Sequence, residues 1–148
     1  DTDKFIQFIK ISQQINIQNY LGTKLYDKFT LIIGNGDIDT APYADYKYLL
    51  GEFIQPALIW FAQVDYLPFA AYQVKNGGVF KHTSENAETV NKTEVDYLVE
   101  KARTHAEWYA RRFIDYMCFN ENLFPEYTSN VNDDIYPSYD ATFNGWVL

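Results

Sequence analysis

TEVDYLVEKARTHAEWYARRFIDYMCFNE, residues 93–121, decides the fold. Val95, Leu98, Ala102, Ala106, Tyr109, Phe113 and Tyr116 recur in it at steps of three and four, the spacing of an apolar stripe along one side of an α-helix. Thr93 followed by Asp96 resembles a capping box with Asp in place of Glu or Gln, which sets the start of the helix at Glu94. From there to about Glu121 the helix is roughly 42 Å long at 1.5 Å per residue. A chain of 148 residues folds as one domain with a radius of gyration of roughly 15 Å, so such a helix crosses it entirely and serves as its spine. The opposite face carries Glu100, Arg103, Glu107 and Arg111, spaced to pair along a solvent-facing or subunit-facing side.

Upstream, Phe5, Phe8 and Ile9, then Leu21, Leu25, Phe29 and Ile32, repeat the helical spacing. The irregular stretch between them predicts two helices with a break near residues 16–19. Gly22 costs about 1 kcal/mol against Ala in a helix interior. Gly34-Asn35-Gly36-Asp37 is turn punctuation, with Thr40 as N-cap and Pro42 in the first turn of a third helix, Pro42 to Gln63. Pro56 removes the backbone bond to the carbonyl of Glu52 and predicts a kink. Phe53 to Val74 has a single charge, Asp65, and is near the roughly 20 residues of a membrane span. Its prolines and glutamines, and the ~2.5–3.5 kcal/mol cost of a central aspartate, make it a buried bundle helix, with no membrane partner.

Asn76-Gly77-Gly78 ends that region, and residues 77–92 are expected to form a polar loop or short hairpin insertion. Beyond Phe124-Pro125, residues 128–148 are acidic, aromatic and extended, and the last basic residue is Arg112. The chain thus divides into a helical domain, 1–127, and an extended docking tail, 128–148. Aromatic anchors in an extended peptide are a recurrent recognition mode. The tail can seat on its own domain or on a neighbour, and the neighbour is the favoured partner.

The fold class expected is an all-α helical bundle. Its composition is aromatic: 13 Tyr, 11 Phe and 3 Trp make up 18% of the chain. At about 150–250 Å² per ring these exceed the needs of one small core, and Tyr and Trp are the residues enriched where proteins meet. The candidate interface residues are Trp108, Tyr109, Arg111 and Arg112 on the spine, Phe124 and Tyr127 at its end, and Tyr136, Tyr139, Phe143 and Trp146 in the tail. The formal net charge of −8 argues against tight DNA or RNA binding, which draws on excess positive charge.

Catalytic and metal chemistry find no constellation. Two histidines, His82 and His105, and one cysteine, Cys118, cannot build a structural zinc site. His105 reads as a hydrogen-bonded structural residue and Cys118 as a small buried hydrophobe. Thirteen residues of helix separate the two by about 19 Å, too far for a nucleophile pair. Asp37-Ile38-Asp39 has the acidic alternation of a calcium loop, but Tyr48 stands where a bidentate Glu belongs. Walker, nucleophile-elbow and dinucleotide fingerprints are absent from the sequence. The expectation is no enzyme and no cofactor. Asp1-Thr2-Asp3-Lys4-Phe5 also lacks the basic and apolar regions of a secretory signal.

Four segments carry a resemblance: Tyr20-Leu21-Gly22-Thr23-Lys24-Leu25-Tyr26 with Phe29; Leu49 to Leu58 with Trp60-Phe61-Ala62; Asn76-Gly77-Gly78-Val79; and Ala106 to Tyr116 ending in Asn122-Leu123-Phe124-Pro125-Glu126-Tyr127. In order and spacing, residues 15 to 127 resemble the small helical head-tail adaptor, or neck ring, proteins of tailed bacteriophages, those of crAss-like phages in particular. The tail matches nothing in that pattern. The resemblance implies a virion protein assembled in the host cytoplasm. It would form a dodecameric ring on the portal protein, touch other neck or tail proteins, and line the ejection channel through which double-stranded DNA passes without being held. A closed ring needs two different patches on each subunit, which surplus aromatics can supply. An acidic wall suits passage of a polyanion. The alternative is a soluble helical interaction or regulatory module; a small hydrolase ranks third.

Overall fold

In a computed structural model the spine, α6, runs from Lys92 to Asn120. The structure describes residues 2–76, 92–129 and 134–141, without the side chains of Thr2 and of residues 72–76. At 29 residues α6 has roughly the expected length, and it starts before Thr93, which therefore lies inside the first turn instead of capping it. Its core face is built from small residues, Ala102, Ala106 and Ala110, then from Phe113, Ile114 and Met117. The alanines let α5, Gln55–Asn76, lie close alongside. Buried Ala57, Leu58, Phe61, Ala62 and Val64 of α5 complete the layer. Leu98, on the expected stripe, is exposed.

The N-terminal half departs from the sequence reading in an instructive way. Helix α1, Thr2–Ser12, continues through a π-helical turn, Gln13–Ile17, into the short α2, Gln18–Leu21. The break expected at 16–19 falls at Gly22, whose φ of 79° and ψ of 157° belong to a region that only glycine adopts at ease. Helix α3, Thr23–Gly34, follows. In the π turn Asn16 is buried and its side-chain amide donates to Ser12 Oγ at 3.0 Å. Phe5 and Phe8 hold α1 on α5 through the rings of Tyr66 and Phe69.

A second π turn explains what happened to the expected third helix. Pro42 sits in a 3-10 turn, Ala41–Tyr43, and α4 spans Ala44–Leu49. The π turn Leu50–Ile54 then leads into α5, with the Gln55 N–H donating to the Leu50 carbonyl. Pro56 is the second residue of α5. Its missing donor thus falls where the hydrogen-bond ladder has already shifted by one residue. Helix α5 also runs on through Pro68 to Asn76, past the expected end at Gln63.

After α6 a 3-10 turn, Glu121–Leu123, and the four-residue α7, Pro125–Thr128, fold back under the bundle. Residues 134–141 lie in extended form over the α2–α3 junction. The Thr23 N–H, at the start of α3 where no side chain caps, donates to the Ile135 carbonyl at 3.0 Å. The Ile135 N–H donates to Thr23 Oγ1 at 2.9 Å, and the Ser138 N–H to the Asn19 carbonyl at 2.8 Å. Donors orphaned at a helix start are in this way served by the tail. The favoured docking partner for residues 128–148 was a neighbour, yet residues 135–141 lie against their own domain and share its core through Ala141.

The architecture is all-α, and among the described residues there is no strand. Among them no helix is long and apolar enough to cross a membrane. The loop or hairpin expected at 77–92 lies, but for Lys92, outside the described residues, as do Phe143 and Trp146.

Candidate interaction surface

His105, Trp108, Arg112 and Tyr116 follow one another on α6 at steps of three and four and so share a face. Against them the π turn Leu50–Ile54 presents Phe53, and α4 presents Tyr48. The result is a continuous stack. Trp108 lies 5.1 Å from the Arg112 guanidinium, which lies 4.7 Å from the centre of the Phe53 ring. Phe53 stacks on Tyr116 at 4.7 Å and 29°, and Tyr48 closes the end against both. On the same face of α6 Trp60 lies against His105 at 4.5 Å and 36°. Trp108 is 53% and Tyr48 51% exposed, and Phe119, three residues beyond Tyr116, is 86% exposed.

Arg112 is therefore held by ring faces instead of by an acid. Lys47 pairs with Asp39 and Arg103 with Glu100, whereas no carboxylate among the described residues pairs with Arg112. Stacking on aromatic faces contributes about 0.5–2 kcal/mol for a cation, more as water is excluded. The guanidinium carries five N–H donors in a fixed planar fork.

A second exposed surface is the outer side of the tail. Pro137 and Ala141 point inward and are buried, while Asp134, Tyr136, Tyr139 and Asp140 are exposed. Tyr139 packs edge-on against Tyr127, which packs against Phe113. Between the two π turns and α3 there is in addition an apolar groove of about 610 Å³, lined by Ile17, Leu21, Phe29, Ile33, Leu50 and Ile54 among others.

Of the ten candidate interface residues, Trp108, Arg112, Tyr136 and Tyr139 lie on these surfaces, and Arg111 is exposed beside them. Tyr109 is half-buried and packs on the core. Phe124 and Tyr127 correct the sequence reading: at 0% and 3% exposure they are core residues. Phe124 fills the space between Tyr46 and Tyr116, and Tyr127 lies under Phe113. His105, read from sequence as a hydrogen-bonded structural residue, is exposed and packs against Trp60, and Cys118, read as a small buried hydrophobe, is exposed. Sequence reasoning missed the groove and the part played by Phe53 and Tyr48. The signal available was the cluster of aromatics at Tyr46, Tyr48 and Phe53, whose partners on α6 only the packing identifies.

The titrating groups report burial. Tyr20 is pushed up to about 12 by burial first, then by Glu107 and Asp140. Tyr46 is raised by burial and by donating its hydroxyl to Glu126 Oε2 at 2.6 Å. Tyr127 is raised chiefly by burial, and its hydroxyl, buried, meets no hydrogen-bond partner among the described residues. Asp65 is raised by burial against the pull of Arg103. Among the described residues no group of three His, Cys, Asp or Glu side chains could hold a metal ion. What the exposed surfaces offer chemically is adhesion through rings and one prepositioned cation.

Residues 17–140 match the family model described as a family of unknown function, DUF6712. No curated protein and no solved structure matches the chain.

Proposed function

We propose, from the premise that the chain belongs to the DUF6712 family over residues 17–140, that it is a structural ring protein of a phage neck, linking the portal to the tail. The reading draws on the resemblance to head-tail adaptors, and one observation carries it: the domain exposes two different aromatic surfaces, the Trp108–Arg112–Tyr48 stack and the outer side of the tail. Unlike patches on one subunit are what a head-to-tail contact needs, and head-to-tail contacts that close make rings. A standard interface takes about 800 Å² from each partner, an area that exposed rings on both surfaces help to supply. The net charge of −8 suits a wall past which DNA slides.

The alternative, a soluble helical interaction or regulatory module, is favoured by the apolar groove, whose lining suits the apolar face of a partner helix. Light scattering of the purified chain, alone and mixed with the portal protein, separates the two. Ring assembly gives a mass many times 17.3 kDa in at least one of the two samples. A monomer in both supports the module instead.

A further inference from the structure

We propose that the Trp108–Arg112–Phe53 stack is the receptor for the acidic, aromatic strip Asp134–Asp140 of a second copy of this chain. The proposal rests on the ring reading and says which surfaces meet in it.

The receptor is half built. The Arg112 guanidinium carbon lies over the rings of Phe53 and Trp108, 4.7 and 5.1 Å from their centres, and its donors form a planar fork that fits a carboxylate. Nothing acidic among the described residues pairs with that fork. The complementary charge is concentrated downstream: residues 113–148 contain Asp115, Glu121, Glu126, Asp133, Asp134 and Asp140 and no Lys or Arg. Of this stretch, residues 135–141 are pinned in extended form by two backbone bonds, to Asn19 and Thr23, and by the Ile135 N–H donating to Thr23 Oγ1. That pinning displays Tyr136 and Tyr139 at 64% and 66% exposure. A prepositioned strip loses little freedom on docking, which favours it over a loose acidic peptide.

The strip does not serve its own Arg112. Its neighbours on the bundle include Asn19, Tyr20, Gly22, Thr23 and Tyr127, and at Tyr20 Asp140 acts together with Glu107. Glu107 is five residues from Arg112 on α6, roughly 140° round the axis at 3.6 residues per turn. Receptor and strip therefore lie on different flanks of the same helix. One copy offers its strip to the next, and the contact repeats in one direction.

Charge exchange between copies tests this. Arg112→Glu and the double change Asp134→Lys with Asp140→Lys are made in the full chain, with circular dichroism as the check on folding. Assembly is followed by sedimentation velocity with the portal protein present. Each variant alone should need at least tenfold more protein than the wild type to assemble. An equimolar mixture should recover wild-type behaviour, since each copy then meets an oppositely charged neighbour. Arg112→Gln, which keeps the stem and removes the charge, should lose assembly to a lesser degree and lose its salt dependence; it stands in if the reversal disturbs folding. Variants that assemble singly like the wild type, or a mixture that gains nothing, overturn the proposal while leaving the ring intact. A wild-type chain that stays monomeric beside its portal overturns the ring reading and the contact with it.

Discussion

Gly22→Ala probes the joint on which the tail is fixed. Its backbone, at φ 79° and ψ 157°, is strained for any residue with a Cβ, by about 1–3 kcal/mol. The added Cβ would also stand 2.8 and 2.9 Å from Cγ and Cδ of Pro137 and 3.2 Å from its nitrogen. A proline ring cannot swing aside, and overpacking of this kind costs a further ~1–3 kcal/mol. A loss of about 4 kcal/mol in total follows, large for a domain of this size. The two parts separate in a double-mutant cycle with Pro137→Ala, which removes Cγ and Cδ and leaves the backbone strain. Urea unfolding followed by far-ultraviolet circular dichroism should show Gly22→Ala costing about 1–2 kcal/mol less in the Pro137→Ala background than in the wild type. Additive effects within about 0.5 kcal/mol, or a single-mutant loss below about 1 kcal/mol, would refute the seating of the tail on the α2–α3 junction.

Tyr127→Phe should leave stability unchanged or raise it by about 1 kcal/mol, because it removes a buried hydroxyl without a partner. Tyr46→Phe should lower stability by roughly 1–3 kcal/mol, because it strips the 2.6 Å bond from Glu126; chemical denaturation of both variants decides, and equal effects would contradict the packing. Tyr20 releases its proton near pH 10 when unfolded and near 12 when folded, so the folded state holds more protons in that window. Stability is full below pH 10 and declines by about 2 kcal/mol toward pH 12, with Tyr46 and Tyr127 adding in the same direction; thermal melts that are flat across this range would count against buried phenols. Trp108→Ala, at a position 53% exposed, should shift the melting temperature by only a few degrees and yet weaken assembly at least tenfold, read by light scattering. A collapse of the fold would instead place Trp108 in the core.

The spine was legible because its pattern is local: Ala102, Ala106 and Phe113 mark one face at helical spacing whatever surrounds them. The position of the first helix break was not. Gly22 was visible as a weak point, but a φ of 79° is set by the tail lying across it, an element more than a hundred residues away in the chain. The π turns at 13–17 and 50–54 have no spacing signature of their own and are chosen by what they aim inward, Asn16 and Phe53. For the interaction surface, residue type alone separated poorly. Phe124 and Tyr127 look as sticky in sequence as Tyr136 and Tyr139, and only the fold-back after α6 buries the first pair while the extended tail exposes the second. Trp108 and Arg112 stood among the spine candidates with nothing to set them apart from Tyr109 and Arg111. Phe53, which completes their stack, comes from another element.

Electron microscopy of the purified chain with its portal protein addresses self-assembly directly. Head-to-tail contact between the two exposed surfaces gives closed rings with rotational symmetry, one subunit's tail seated against the next subunit's spine. Particles that remain single domains on and off the portal, under conditions in which both proteins are folded, would contradict a ring-forming role.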